Sequence, residues 1–273
     1  MQKYYSNILG ILFLLLTISS CEEVIEIDLA NAKEVIVIEA LIANENSPFT
    51  VKISKTTPYF GATASNPVSG AKVSVRTEEG RTKYFTEALP GKYELNKTHA
   101  LPGFWYSVDV EYEGITYTAR SYMYEKVQIG ELGFTYFDGF GIFESGYKVN
   151  TFIRDPVNVD NYYRIKYYVN GKPENSLGGY SLYNDRLFDG KAIGLGQRSQ
   201  VFKKTDTLTV ELQTIDKATY DYFSTLESIS GLDVLQSVSP ANPISNFNNG
   251  ALGYFSAYTF DTRTVVIQDY IDE

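Results

Sequence analysis

Apolar and polar residues alternate along much of the chain, and this period of two predicts β-strands. In the clearest segment, Tyr106–Tyr112, the even-numbered positions are aliphatic or aromatic and the odd-numbered positions are polar. We therefore expect the even positions to be buried and the odd positions to face solvent. About seven such segments, spaced by roughly 8–12 residues and separated by turn residues, are typical of a β-sandwich. They end near residue 122.

The second part of the chain shows the same alternation in Tyr163–Val169 and Thr207–Gln213. Asn170-Gly171 follows the first of these segments and is a strong signal for a tight hairpin turn. One helix is predicted between the strands. Asp216 is a suitable N-cap residue, and Lys217–Ser228 carries apolar residues at helical spacing.

These patterns predict a mostly β fold in two packed units. We expect an N-terminal, Ig-like β-sandwich over residues 21–124. We expect a C-terminal, β-sandwich-like domain with one short helix over residues 125–273. No long Pro/Ser linker separates the two segments, so the units are expected to pack against each other.

Residues 1–20 have the pattern of a lipoprotein signal peptide. Lys3 supplies a positive charge, and the apolar run Ile8–Ile18 is shorter than the ~20 residues that span a bilayer. The run ends in Ile18-Ser19-Ser20-Cys21, which resembles the lipobox of bacterial lipoproteins. We expect lipid on the Cys21 thiol, with palmitate-like acyl chains as a stable anchor. The alternative is an ordinary signal peptide that happens to be followed by a cysteine.

Two acidic residues, Glu22 and Glu23, follow the expected lipidation site. An acidic cluster at this place resembles the signal that brings Bacteroidota lipoproteins to the cell surface. We therefore expect the protein to face the cell exterior. A solvated tether, in a protein that faces the periplasm, is the alternative.

Composition excludes several classes of protein. The net charge of −9 and the pI near 4.8 argue against a nucleic-acid partner, which requires a basic surface. One Cys and one His cannot form an intrachain disulfide or the usual Cys/His zinc sites. The sequence has no phosphate-binding glycine loop and no dinucleotide fingerprint, so we expect no cofactor.

Catalytic and metal chemistry have weak support in the sequence. His99, the only histidine, lies in a polar segment, and we expect an exposed loop residue rather than a triad member. The ends of the acidic motif Asp185–Lys191 could meet in a turn and bind Ca²⁺. Because the motif lacks the dense acidic spacing of a calcium loop, we expect an internal Asp–Arg or Asp–Lys ion pair instead. We predict no catalytic residues and no metal.

The chain is rich in aromatic residues, with 23 Tyr and 16 Phe, and we expect most of them in the core and on sheet surfaces. The exception is an apparent loop over residues 136–143, where aromatic residues stand among Gly and Asp. Exposed aromatic residues in such a loop favour partner binding. The candidates are Tyr136, Phe137, Phe140 and Phe143. The alternative is a hairpin folded under the sheet, with these rings in a small additional core.

The segment Asp206-Thr207-Leu208 resembles the Asp-Ser/Thr-aliphatic motif of O-glycosylation in Bacteroidota. Thr207 is therefore a candidate for O-glycosylation. Because three-residue motifs are common by chance, an unmodified strand residue is the alternative.

Several segments together resemble one family. They are Cys21–Leu29, Val35–Ala43, Val68–Val73, Pro90–Tyr93, Asp185–Lys191 and the stretch from Ser239-Pro240 through Asn249–Phe255. In these segments the sequence is similar to the Bacteroidota lipoproteins grouped as domain of unknown function 4249. The resemblance covers nearly all of the chain after the signal segment. It implies an outer-membrane lipoprotein, often encoded beside a TonB-dependent receptor, and it implies no catalytic residues.

From these observations we expect a non-catalytic accessory or ligand-binding subunit of a TonB-dependent uptake system, anchored in the outer membrane through Cys21. The alternative is a free-standing adhesive or structural surface module. A third hypothesis, a glycoside- or peptide-cleaving enzyme, requires a cleft with close carboxylates and raised pKa values.

Overall fold

The computed structural model describes residues 34–45, 48–57, 66–77, 79–96, 98–141, 144–174, 179–197, 200–229 and 242–271. Residues 1–20, which are predicted to form a signal peptide, lie outside the described residues. So do Cys21, Glu22, Glu23 and Phe143. Within the described ranges, no helix combines the length and the apolar character that crossing a membrane requires.

The described residues form seventeen strands and two helices, numbered in chain order. The first nine strands are β1 (Ile36–Ala43), β2 (Phe49–Lys55), β3 (Asn66–Pro67), β4 (Lys72–Thr77), β5 (Thr82–Tyr84), β6 (Thr86–Leu89), β7 (Lys92–Leu95), β8 (Phe104–Tyr112) and β9 (Ile115–Met123). The others are β10 (Ile129–Phe137), β11 (Gly146–Arg154), β12 (Tyr162–Val169), β13 (Lys172–Pro173), β14 (Tyr180–Asn184), β15 (Ala192–Gly196), β16 (Thr207–Ile215) and β17 (Leu252–Val266). The helices are α1 (Lys217–Ile229) and α2 (Ile267–Ile271). The predicted mostly β fold is confirmed.

Ten of the described strands form one mixed sheet with the order β13-β12-β16-β17-β1-β2-β7-β6, in which β14 also pairs with β12 and β3 with β2. In its middle, β1 pairs antiparallel with β2 and parallel with the first half of β17, where Ile38 lies opposite Gly253. The second half of β17 pairs antiparallel with β16. This 15-residue strand therefore joins the first half of the chain to the second.

Two smaller sheets pack against the ten-stranded sheet and form two cores. The four-stranded sheet β5-β4-β8-β9 contributes Val110 to a core that also contains Ile38 of β1. The three-stranded sheet β10-β11-β15 contributes Leu132 to a second core that contains Ile165 of β12. The molecule therefore has two β-sandwiches that share one long sheet.

Alternation along β17 shows which face of the long sheet each layer occupies. Phe255 belongs to the first core and Val265 to the second, and their even spacing places both side chains on one face. Tyr254 and Tyr258 point to the other face, where they pack in a cluster with Phe223 of α1. The two small sheets thus cover one face, and α1 lies on the opposite one.

The predicted boundary between residues 124 and 125 separates most of the two cores but does not divide the long sheet. Phe247, Ala251 and Phe255 of the C-terminal segment belong to the first core. The parallel pairing of β1 with β17 makes the sheet continuous across the predicted boundary. The last long strand therefore contributes to both sandwiches, and the division of the chain into two domains at residue 124 stays a prediction.

β8 has the register that the alternation predicted. Tyr106, Val108 and Val110 are buried, and Glu111 is exposed. Asp109 is only half-exposed, because it accepts a hydrogen bond from a threonine hydroxyl on β9 and pairs with an arginine on β4.

The predicted helix and hairpin turn are confirmed. The Asp216 carboxylate caps α1 by accepting a hydrogen bond from the Thr219 N–H, at 2.9 Å. Asn170 and Gly171 connect β12 to β13 with φ values of 52° and 78°. Two successive positive φ values are those of the type I′ turn, which matches the twist of the paired strands.

Candidate functional site

The aromatic segment predicted as a loop is partly a strand. β10 continues to Phe137, so Tyr136 and Phe137 belong to a hairpin with β11. The prediction of a loop that begins at residue 136 is therefore wrong. Two glycines inside β10 conceal its alternation, and one of them, Gly133, lies under the ring of Phe152, where a Cβ would approach a ring carbon to 2.8 Å.

The candidate aromatic residues differ in their surroundings. Phe140, in the turn after β10, is 82% exposed, and Tyr136 is 53% exposed with its ring edge-on to that of Tyr147. Phe137 is half-buried, and Lys148 Nζ lies 4.4 Å from the centroid of its ring. The β10–β11 hairpin tip, defined by Tyr136 and Phe140, therefore presents two rings to solvent. Partner binding by these residues stays a prediction.

Thr207 lies at the beginning of β16 and is half-buried. Its N–H donates a hydrogen bond to Asn170 Oδ1 at 3.0 Å, and Asn170 Nδ2 donates to Asp206 Oδ1 at 3.1 Å. The glycosylation motif is thus held against the Asn170 turn at one end of the sheet. Its modification stays a prediction.

His99 is an exposed residue of an irregular segment, as expected. It lines a cavity of about 140 Å³ at one end of the first sandwich, together with Arg81, Lys83 and Phe104. Ligand sites usually measure about 300–1,000 Å³. This cavity is therefore small for a ligand of that class.

A larger cavity, of about 460 Å³, lies beside α1 on the helix-covered face of the long sheet. We call it the Arg164 cleft. Its volume falls within the usual range for ligand sites. Aromatic and charged side chains dominate its lining. They are Tyr180, Tyr222, Phe223, Tyr254, Glu39, Arg164, Lys166 and Glu174. Strands β1, β12, β14 and β17 and helix α1 bring these residues together from distant parts of the chain.

Arg164 lies against two of the aromatic rings in the cleft. Its guanidinium carbon is 3.8 Å from the centroid of the Phe223 ring and 4.8 Å from that of Tyr180. Such cation–π contacts contribute about 0.5–2 kcal/mol and fix the guanidinium plane. Arg164 Nε is buried and has no hydrogen-bond partner in the described part of the chain. The side chain as a whole is half-buried, and its guanidinium carries further N–H donors besides the buried Nε–H.

Burial controls the ionisation of the cleft residues. It raises the pKa of both Tyr180 and Tyr222 to about 12, and it also raises the pKa of Tyr254. Burial lowers the pKa of Lys166, while the Glu211 carboxylate acts in the opposite direction. The three tyrosines stay neutral at physiological pH and keep their hydroxyl donors. Ring faces, hydroxyls and a cation in one cleft are suited to sugar or peptide ligands.

Three carboxylates converge where the loop after β11 meets the loop after β14. Asp155, Asp185 and Asp189 each place one oxygen within 4.8 Å of the others. Burial raises the pKa of Asp185, and the neighbouring carboxylates raise it further. The expected internal ion pair is wrong: within the described ranges, neither Arg186 nor Lys191 lies within ion-pair distance of these carboxylates. Both basic side chains are exposed instead.

One family model matches the chain over residues 22–264, and its description is Domain of unknown function (DUF4249). The chain belongs to this family. The match spans both sandwiches, the Arg164 cleft and the three carboxylates. A search of the curated proteins finds no match.

Two of the segments that resemble the DUF4249 family contribute to these sites. Asn249 and Gly250 form a turn with φ values of 53° and 76° before β17, so this segment is a turn followed by a core strand. Its Tyr254 nevertheless lines the Arg164 cleft. The Asp185–Lys191 segment supplies two of the three carboxylates.

Sequence reasoning missed the Arg164 cleft, although β12 carries a signal for it. The positions opposite the core in this strand are Arg164, Lys166 and Tyr168, which are large side chains rather than the small polar residues of a solvated face. The alternation does not show which elements of the fold cover these three side chains. α1, β1 and β17 reach this face only through pairings between distant segments.

Proposed function

We propose that this DUF4249 member is a lipid-anchored protein of the outer membrane that faces the cell exterior. In this proposal it acts as a non-catalytic accessory or ligand-binding subunit of a TonB-dependent uptake system. The lipobox-like Ile18–Cys21 segment and the acidic pair Glu22-Glu23 support the location. The resemblance to Bacteroidota lipoproteins that are often encoded beside such receptors supports the partner.

In this proposal the ligand binds in the Arg164 cleft. It combines ring faces that can stack on a ligand with a half-buried arginine whose guanidinium carries several N–H donors. A ligand with planar or ring-shaped groups and an acceptor oxygen would satisfy both features. Sugars and peptides both have this chemistry.

We assign the receptor contact to the β10–β11 hairpin tip. Phe140 is 82% exposed and Tyr136 is 53% exposed, so the tip presents two neighbouring aromatic rings, a residue type that is enriched in protein interfaces. An aromatic residue that fills a partner pocket can contribute about 2 kcal/mol or more to binding. The tip and the Arg164 cleft are formed by different elements, so the two can be tested separately.

The hydrolase hypothesis has one observation in its favour. Asp155, Asp185 and Asp189 are close together, and the pKa of Asp185 is raised. However, these residues line neither the Arg164 cleft nor the cavity beside His99. We therefore favour a non-catalytic role for the protein. The clustering of the three carboxylates then has a cause other than catalysis.

The proposed binding role is tested by probing oligosaccharide and oligopeptide arrays with the purified, labelled protein. We expect binding to a related set of probes and at least tenfold weaker binding by Tyr222→Ser, which removes a ring next to Tyr254 and Phe223. The matched control is Tyr122→Ser, a half-buried tyrosine that contacts Trp105 and Tyr124 instead.

Two results would contradict the cleft assignment. One is equal binding by the wild type and Tyr222→Ser; the other is an equal loss in both tyrosine variants. Cleavage of the probes by the wild type, abolished in Asp185→Asn, would instead support the hydrolase hypothesis.

A further inference from the structure

Two loops of the second sandwich are held together by backbone hydrogen bonds. They are the loop between β11 and β12 and the loop between β14 and β15. The Asp155 N–H donates to the Lys191 carbonyl at 2.9 Å, and the Asp185 N–H donates to the Asn161 carbonyl at 3.2 Å. Each loop thus places carboxylates at the same junction.

Asp155 is the most firmly held of the three carboxylates at this junction. It is 2% exposed, and both of its oxygens accept hydrogen bonds. The Tyr163 hydroxyl donates to Oδ1 at 2.5 Å, and the Gly190 N–H donates to Oδ2 at 2.9 Å. These bonds fix the direction of the carboxylate and leave further lone pairs on its oxygens.

Asp185 and Asp189 are each held through one oxygen only. The Asn161 N–H donates to Asp185 Oδ2 at 2.7 Å, and the Asn158 N–H donates to Asp189 Oδ1 at 2.8 Å. In the described part of the chain, the other oxygen of each carboxylate accepts no hydrogen bond. Two oriented carboxylates therefore have an oxygen available for a further partner.

The charge at this junction is not balanced by the protein's own described residues. Asp155 and Asp185 are 2% and 5% exposed, and in the described ranges no Lys or Arg forms an ion pair with either of them or with Asp189. Burial of unpaired carboxylates is strongly unfavourable. A positively charged ligand would remove this penalty.

Asn161 provides a second, independent observation. It is 2% exposed, and its Oδ1 is buried without a hydrogen-bond partner among the described residues. The pairing of Tyr162 with Asn184 places Asn161 directly opposite Asp185, so the two side chains share one face. Tyr163, which bonds Asp155, also lies on this face, two residues further along the strand. The side-chain oxygen of Asn161, Oδ1, therefore lies on the same side of the strand as the carboxylates.

We propose that Asp155, Asp185, Asp189 and the side-chain oxygen of Asn161 bind one Ca²⁺ ion. All four donors are oxygens, which are the ligands of hard cations. Ca²⁺ takes about six to eight oxygen ligands, including carboxylates and amide carbonyls, whereas Mg²⁺ is usually held by only one or two carboxylates and keeps several waters. The three carboxylate oxygens lie within 4.8 Å of one another, so that one ion can contact all of them, and three carboxylates with an amide oxygen favour Ca²⁺.

The ion would hold together the two loops that enclose the junction, and Asp189, which is exposed, gives it access from solvent. Its role is structural and does not depend on the proposed function. The Arg164 cleft contains none of the four ligands.

The test is thermal unfolding of the full chain, purified in detergent and treated with EGTA, with CaCl₂ or MgCl₂ added. We expect Ca²⁺ at about 100 times its Kd to raise the melting temperature by about 5–10 °C, and Mg²⁺ to raise it far less. Asp189→Asn should lose most of the Ca²⁺ shift. The matched control, Asp138→Asn in the exposed turn after β10, should keep it.

A second measurement does not depend on unfolding. Tb³⁺ should give luminescence on tyrosine excitation, because Tyr163 bonds one of the proposed ligands, and Ca²⁺ should displace it. Asp189→Asn should weaken Tb³⁺ binding at least tenfold. The proposal is overturned if Ca²⁺ changes neither the melting temperature nor the Tb³⁺ signal, if Mg²⁺ acts equally, or if Asp189→Asn responds like Asp138→Asn.

Discussion

Gly253 shows how one position without a side chain allows the two halves of the chain to pair. It lies in β17 opposite Ile38 of β1, with φ near +93°. A Cβ at this place would overlap the carbonyl oxygen of Ile38. Gly250, three residues earlier, also has a positive φ, of +76°, but a Cβ there would meet nothing within 4 Å.

Alanine substitutions at these two glycines therefore form a matched pair of variants. Gly253→Ala should lower the free energy of unfolding by more than about 3 kcal/mol, because backbone strain adds to a clash with β1. Gly250→Ala should cost only the strain of the left-handed conformation, about 1–2 kcal/mol. Urea denaturation followed by circular dichroism measures both losses. Equal losses would contradict the close approach of β17 to β1.

At the level of elements, α1 depends on a buried cap. Asp216 Oδ1 accepts the Thr219 N–H at 2.9 Å, and Oδ2 accepts the Tyr122 N–H of β9 at 3.3 Å. Burial raises the pKa of Asp216, and the hydrogen bonds from Thr219, Ser121 and Tyr122 oppose this shift. The same carboxylate thus starts the helix and ties it to the first sandwich.

The raised pKa predicts a pH dependence. The folded state binds the Asp216 proton more tightly than the unfolded state does, because the pKa of an aspartate side chain in an unfolded chain is only about 3.9. Lowering the pH through the folded pKa therefore stabilises the wild type relative to Asp216→Asn, which has no proton to bind. At pH 7 the variant should be about 1 kcal/mol less stable, because its amide group faces the Tyr122 N–H.

Urea denaturation of both proteins at pH 7 and near pH 4.5 checks this prediction. The difference in unfolding free energy, wild type minus variant, should be larger at the lower pH. A difference that stays constant or shrinks would show that the folded state does not raise the pKa of Asp216.

Regular elements could be predicted from the sequence, whereas irregular ones could not. β8 and α1 have uninterrupted periods of two and of about 3.6 residues, and both were predicted near their observed bounds. β10 and β15 contain glycines at positions where a strand normally shows a side chain. Their strand structure depends on neighbours such as Phe152, which fills the space above Gly133 and Gly194. Such neighbours come from pairing that local sequence does not reveal.

At the scale of the whole molecule, the ten-stranded sheet assembles both candidate sites from distant segments. The Arg164 cleft needs β1, β12, β14, β17 and α1, and the carboxylate junction needs the loops after β11 and β14. The acidic motif Asp185–Lys191 can be recognised in the sequence as a possible cation site. That Asp155 and Asn161 lie beside it cannot be recognised there, because only the pairing of distant strands brings them to the motif. The two-sandwich division was predictable, and the shared strand was not, because β1 and β17 are separated by most of the chain.

The proposed membrane anchor concerns the whole molecule, and a single variant tests it. Cys21→Ser should abolish metabolic labelling by palmitate and release the protein from the membrane fraction, or leave it unprocessed, because the chain has no other cysteine. Ser20→Gly keeps a small residue before the cysteine and should remain lipidated. Persistence of acyl labelling in Cys21→Ser would contradict a lipoprotein.

Whether the protein works as a subunit of an uptake system is tested by affinity purification from native outer membranes in mild detergent. The bound proteins are identified by mass spectrometry. We predict that a TonB-dependent receptor co-purifies with the wild type. Its yield should fall at least fivefold with Phe140→Ala, whose melting temperature should stay unchanged because the ring is 82% exposed. Leu89→Ala, at another exposed apolar residue, should retain the receptor. Purification of the wild type without any receptor would overturn the proposed role as a subunit of an uptake system.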